Sequence, residues 1–88
     1  AERWGMIWQC VPDEELQMQS DAVALKLSRK APLASAETKK LLQQSPGRNL
    51  EEQLQLEGQT QQKMGMTEDY REGVQAFLEK RQPRFQGK

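Results

Sequence analysis

The sequence contains no histidine and only one cysteine, Cys10, among its 88 residues. This composition excludes a Cys/His zinc site and a nucleophilic triad that uses an imidazole base. One thiol also forbids an intramolecular disulfide, which excludes a disulfide-stapled secreted mini-protein. We therefore expect a protein of the reducing cytoplasm, with no metal site and no bound cofactor of its own.

Long apolar runs are also missing. The longest covers residues 22–25, whereas a membrane-spanning helix needs about 20 apolar residues. Hydrophobic residues make up 35% of the chain, against roughly 45–50% in an average domain, a figure that also counts glycine. The N-terminus has neither a methionine nor the basic and apolar regions of a signal peptide, and it reads like the middle of a longer chain. One small domain with a thin core and no membrane segment is expected.

The charge is balanced, because 13 Lys and Arg residues face 13 Asp and Glu residues. A net charge of zero gives no overall attraction to nucleic acid or to an anionic membrane, and it weakens self-repulsion. The composition therefore permits self-association and gives no overall reason to bind a polyanion.

The residues that are present predict a mainly α-helical fold with a short N-terminal arm. Residues 1–12 form this arm, and both tryptophans lie in its apolar part, which fits a strand or an extended segment without a second strand to pair with. Pro12 and the acidic residues after it start a first helix that ends near Lys30. Pro32 opens the second helix, which stops at the Ser-Pro-Gly sequence of residues 45–47.

Two further helices complete a helical domain over residues 13–88. Asn49 and Glu52 form a capping-box pattern for a glutamine-rich helix that runs to about Gly65. The fourth helix starts at Thr67 or Asp69 and continues towards Pro83, with Lys80 and Arg81 in its last turn, where cations suit the helix dipole. Gly73 inside this helix predicts a close packing contact.

Carboxylates and serines are the first candidates for chemistry. Glu51, Glu52 and Glu57 could act as acid and base, but they lie among glutamines with no apolar pocket nearby, which is typical of a solvated face. Ser28 and Ser35 lie near lysines without the strained turn that a nucleophile needs. We predict no catalytic residue among them.

The basic C-terminal end offers a binding site instead. Aromatic side chains there could stack on a base while cations hold a phosphate. Composition alone favours a cationic last helical turn with two aromatic anchors over such a binding site. The residues concerned are Phe77, Lys80, Arg81, Arg84, Phe85 and Lys88.

Residues 69–88 resemble the C-terminal end of the crotonase superfamily, the enoyl-CoA hydratases and isomerases. That end commonly has the pattern Asp-x-x-Glu-Gly-Val-x-Ala-Phe-Leu-Glu-Lys-Arg followed by Pro-x-Phe-x-Gly, and this sequence reads DYREGVQAFLEKRQPRFQGK. The start WGMIWQ, the glutamine-rich helix and DYREGV are similar to the phenylacetate-degradation branch. Trp8 and Cys10 depart from the smaller or apolar residues that are usual in the family.

The resemblance implies a function without a catalytic centre in this chain. In the family, a preceding α/β core carries the oxyanion-hole amides and the acidic residues, and the C-terminal helices form the trimerisation region that covers the acyl-CoA site. The implied parent is a homo-oligomer, a trimer or hexamer, acting on an acyl-CoA. Phe77 would contact the adenine of CoA, and Lys80 its phosphate-bearing ribose; the two would share one helical face.

Two readings from other classes compete with this one. The chain could be a stand-alone helical interaction module that binds a partner helix through its apolar stripes. It could also bind nucleic acid through the basic tail, which would make its affinity depend steeply on salt.

Overall fold

The computed structural model describes residues 1–88 and confirms a mainly helical fold with four α-helices and no strand. A 3-10 turn over Asp13–Glu15 precedes the first helix, and a second over Ser45–Gly47 follows the second helix. The helices are α1 (Leu16–Ser28), α2 (Pro32–Gln44), α3 (Leu50–Met64) and α4 (Glu68–Leu78).

Local chemistry sets the starts of α2 and α3 as predicted. Pro32 is the first residue of α2, where its missing N–H costs no helical hydrogen bond. The Asn49 side-chain oxygen accepts the Glu52 N–H at 2.8 Å, and the Asn49 amide donates to the Glu52 carboxylate at 3.1 Å. This pair caps α3 and satisfies one of the free N–H groups of its first turn.

The strand alternative for the N-terminal arm is wrong. The Gly5 N–H donates to the Glu2 carbonyl at 3.1 Å in a turn, and the Glu2 carboxylate accepts the Cys10 N–H at 2.7 Å. The arm therefore folds back on itself, with no strand to pair with. Trp4 and Trp8 stay 85% and 76% exposed, so both indole rings lie on the surface of this chain.

The start of α4 matches one of the two predicted caps, whereas its end differs from the prediction. Thr67 is the N-cap, and its hydroxyl oxygen accepts the Tyr70 N–H at 3.1 Å. Asp69 lies inside the first turn instead, with its carboxylate bonded elsewhere. The helix ends at Leu78, so Lys80 lies beyond its last turn.

Little of the chain is buried. Ala76 and Asp69 are the only residues buried from solvent, with 1% and 4% of their surfaces exposed. The accessible surface is 7889 Å², against about 5,300 Å² for a folded monomer of this mass. The radius of gyration is 16.4 Å, against about 12 Å for a compact domain of this length. The apolar stripe of α1 therefore faces outwards, with Leu16 57% and Leu27 61% exposed.

The C-terminal tail, residues 81–88, is held against α4 by the one buried carboxylate. The two Asp69 oxygens accept the N–H groups of Gln86 and Gly87, each at 2.8 Å. The Asp69 N–H donates to the Lys88 carbonyl at 2.9 Å. The tail has no helical or sheet partners, so Asp69 supplies acceptors that its backbone would otherwise lack.

Asp69→Asn is predicted to release the end of the tail. The amide keeps one acceptor oxygen but turns an NH₂ donor towards a second N–H, so one charge-assisted hydrogen bond, about 1.5–3 kcal/mol, is lost. Hydrogen exchange at the Gln86 and Gly87 amides should become faster. The neighbouring Glu68→Gln, whose side chain makes no hydrogen bond, serves as the control. Unchanged protection in Asp69→Asn would contradict the role given to this carboxylate.

Candidate functional site

An apolar groove lies between the start of α2 and the outer face of α4. Its volume is about 410 Å³. Phe85 from the tail forms one wall, because its ring packs on Gly73, where an added Cβ would lie 3.5 Å from the ring. The contact predicted at Gly73 is therefore present, although its partner is an aromatic ring. The other lining residues are Ala31, Leu33, Ala34, Met64, Thr67, Asp69, Tyr70, Val74 and Phe77.

Phe77 brings an almost free aromatic ring to this groove. It is 83% exposed, although it lies in the last turn of α4. A large exposed ring at the mouth of an apolar groove can stack on a planar ligand or pack into a partner protein.

Lys80 follows immediately, in a left-handed turn that ends α4. Its N–H donates to the Phe77 carbonyl at 3.3 Å, and the next N–H, of Arg81, donates to the Ala76 carbonyl at 3.0 Å. These two bonds define a Schellman motif, with Lys80 at the position that glycine usually takes. The shared helical face predicted for Phe77 and Lys80 is wrong, because Lys80 has φ 55° and lies outside the helix.

A carboxylate and guanidinium network surrounds this turn. Arg81 donates from Nη1 and Nη2 to the two Glu72 oxygens at 2.6 and 2.9 Å, and from Nε to Glu79 at 2.7 Å. Glu72 also accepts the Arg84 N–H at 2.8 Å. The Lys80 ammonium has no hydrogen-bond or ion-pair partner, so it is available for an anion.

The network lowers the pKa of both carboxylates. The hydrogen bonds from Arg81, and then from the Arg84 N–H, hold the pKa of Glu72 at about 2, below its ordinary value of 4.5. The Arg81 hydrogen bond likewise lowers the pKa of Glu79, and the two carboxylates raise the pKa of Arg81. Ionised carboxylates of this kind are weak bases at neutral pH, so the chemistry that the network suits is binding and positioning.

Sequence reasoning offered Asp69, with Glu72 three positions on, as one of two possible caps of α4, and it missed the part of both residues in holding the tail. Glu72 and Arg81 are nine positions apart, with a helix end between them, so no helical periodicity points to the pair. The only available signal was their place in the family-like motif.

The three carboxylates considered for acid and base chemistry lie apart from this site. Glu51, Glu52 and Glu57 are all exposed on α3. Glu52 takes part in the helix cap, and Glu57 accepts a hydrogen bond from the Gln53 amide at 3.2 Å.

None of the helices has the length and apolar character needed to cross a bilayer.

A family model for enoyl-CoA hydratase/isomerase matches residues 1–88. The chain belongs to the enoyl-CoA hydratase/isomerase family. The helices, the Schellman turn and the tail described above are therefore a part of that family's fold.

Individual relatives agree with this assignment. The chain is 43% identical to a probable enoyl-CoA hydratase of Rhodobacter capsulatus and 41% identical to the 1,2-epoxyphenylacetyl-CoA isomerase of Escherichia coli. Both matches cover 100% of this chain and 34% of the relative. The solved enoyl-CoA hydratase of Bacillus anthracis superposes with a TM-score of 0.92 at 31% identity, over 100% of this chain and 34% of that one. The chain thus spans about a third of the length of the proteins that it matches.

Removal of the Arg81 guanidinium, which donates two hydrogen bonds to Glu72, is predicted to raise the pKa of Glu72. In ¹³C NMR of the carboxyl carbon, Glu72 should titrate at about 2, and in Arg81→Met the midpoint should move towards 4.5. The pKa of Glu72 is lower in the folded chain than in the unfolded chain. The stabilisation by the ion pair is therefore complete above about pH 4.5 and is lost as the pH falls towards about 2. Arg71→Met on the same helix removes a guanidinium that bonds no carboxylate and should leave the midpoint unchanged. An unaltered titration in Arg81→Met would contradict the assignment.

Proposed function

We propose that this chain is the C-terminal, oligomerising and CoA-covering region of a longer enoyl-CoA hydratase or isomerase. The observation that carries the proposal is the lack of a core of its own. A family member with four formed helices buries one apolar residue, Ala76, and leaves most of its large apolar side chains exposed. Such faces are stable in water when other protein covers them.

The size of the exposed area indicates what covers it. The accessible surface exceeds that of a compact monomer by about 2,600 Å². A standard interface buries about 800 Å² on each partner, so one such contact leaves most of the excess uncovered. The proposed covers are the remaining two thirds of the enzyme and neighbouring subunits, in a trimer or hexamer.

Phe77 and Lys80 are the proposed CoA contacts. The exposed Phe77 ring can stack on the adenine, since every base offers a π-face. The unpaired Lys80 ammonium can meet the phosphate on the ribose of CoA. The geometry supports this pair through the left-handed turn, which places the two residues at one helix end without a shared helical face.

The reaction proposed for the whole enzyme is hydration of a 2-enoyl-CoA, or isomerisation of a double bond or epoxide, through a thioester enolate that backbone amides stabilise. The similarity to a 1,2-epoxyphenylacetyl-CoA isomerase supports a place in phenylacetate breakdown. The location proposed from the single cysteine is the cytoplasm. The groups for this chemistry are proposed to lie in the preceding core, so this chain alone should be inactive. The stand-alone helical module is not favoured, because the similarity to the enzymes extends over the whole chain.

The first test separates this region from the rest of the enzyme. The full-length protein that contains this chain should form a trimer or hexamer by light scattering and turn over crotonyl-CoA. The 88-residue chain alone should show no turnover, and deletion of residues 13–88 should lower both the number of subunits per particle and the turnover. Turnover by the isolated chain at the full-length rate would overturn the proposal, and so would an unaltered number of subunits after the deletion.

The second test concerns the CoA contacts. In the full-length protein, Lys80→Ala should weaken CoA binding by about tenfold, the loss expected for one charge-assisted contact. Phe77→Leu, which keeps an apolar side chain but removes the ring face, should also weaken it. Titration calorimetry measures both losses, with Lys63→Ala on α3 as the matched control for Lys80. Unchanged affinity in Lys80→Ala would remove this residue from the site.

A further inference from the structure

Lys80 occupies a backbone conformation that its residue type disfavours. It is the only non-glycine residue of the chain with a positive φ, at 55°. The Cβ of an L-residue is crowded there, and glycine is the usual residue at this position of a Schellman motif. A lysine persists in such a conformation only when its surroundings fix it.

The surroundings fix it from both sides. Glu79 precedes Lys80 and Arg81 follows it, and their side chains bond each other at 2.7 Å around it. The two terminal nitrogens of Arg81 donate to the two Glu72 oxygens at 2.6 and 2.9 Å. Glu72 lies more than one helical turn before the end of α4. Because Arg81 engages three carboxylate oxygens, side chains reinforce the turn that the two backbone hydrogen bonds of the Schellman motif define. They leave the Lys80 ammonium free.

Stability alone is a weak reason for this arrangement. The Arg81 and Glu79 side chains are 39% and 49% exposed, and exposed ion pairs contribute little to folding. A bidentate ion pair, by contrast, fixes the orientation of the guanidinium and the carboxylate as well as the distance between them. Arg81 therefore has the geometry of a residue that orients its neighbour.

We propose that Glu72 and Arg81 are positioning residues that hold Lys80 in the left-handed turn from which its ammonium meets the ribose phosphate of CoA. This inference rests on the proposed function. Neither Glu72 nor Arg81 needs to touch the ligand, because both act through the backbone conformation of Lys80.

The test measures Kd for CoA and for dephospho-CoA, which lacks the ribose phosphate, in the full-length protein. Glu72→Gln and Arg81→Lys should each weaken CoA binding by several-fold, approaching the loss in Lys80→Ala, and leave dephospho-CoA binding unchanged. Glu72→Gln added to Lys80→Ala should cause no further loss, since the residue through which it acts is already gone. Glu68→Gln, an exposed carboxylate of the same helix without a partner, is the control.

Lys80→Gly gives a second measurement that does not depend on the ion pair. Glycine suits a positive φ, so the melting temperature should rise while CoA binding falls as in Lys80→Ala. An unchanged or lower melting temperature would show that the turn holds no strain and would overturn the proposal.

The outcomes separate this inference from the proposed function. If Lys80→Ala leaves CoA affinity unchanged, the Lys80 contact itself is wrong and both fail. If Lys80→Ala weakens binding but Glu72→Gln and Arg81→Lys do not, the contact stands and the positioning role is overturned. Equal losses for CoA and dephospho-CoA in Glu72→Gln, or losses additive with Lys80→Ala, would also overturn it, because a purely structural role predicts them.

Discussion

Two carboxylates of one helix, Asp69 and Glu72, hold the end of the chain in place. The tail after α4 belongs to no helix or sheet, so its N–H groups need acceptors from side chains. Asp69 accepts two of them and Glu72 a third. The ring of Phe85 is consequently fixed over Gly73, and the groove beside α4 gains its wall. Without the Asp69 bonds, the wall that the tail gives to the groove would have no fixed position.

A second constraint is the shortage of buried apolar surface. Hydrophobic burial is the main favourable term in folding, and here Ala76 is the only apolar residue that is buried. Backbone hydrogen bonds, helix caps and the tail contacts give the chain its local form. The apolar faces point outwards, with Trp4, Trp8 and Phe77 among the most exposed side chains, and the proposed function assigns these faces to other protein or to ligand. Membership in a family whose relatives are about three times as long fits this division.

The network at the end of α4 joins the two constraints. Arg81 links Glu72 on the helix to the start of the tail, directly after the left-handed backbone at Lys80. One set of contacts therefore orders the tail and leaves the Lys80 ammonium exposed. A short surface segment can in this way hold a charged residue in one conformation without a core beneath it. A bidentate ion pair fixes the orientation of the segment, which packing would otherwise fix.

The four helices and the cap at Asn49 follow from the sequence itself, because proline, capping pairs and turn residues act on neighbours within a few positions. The family resemblance was likewise present in residues 69–88, and the family match confirms it. The partners of Asp69 and Glu72 were decided only by the tertiary structure, since they lie 9 to 19 positions away. Local rules therefore offered Asp69 as an alternative cap beside Thr67 and placed Lys80 in the last helical turn. Long-range hydrogen bonds to a returning tail took precedence over both.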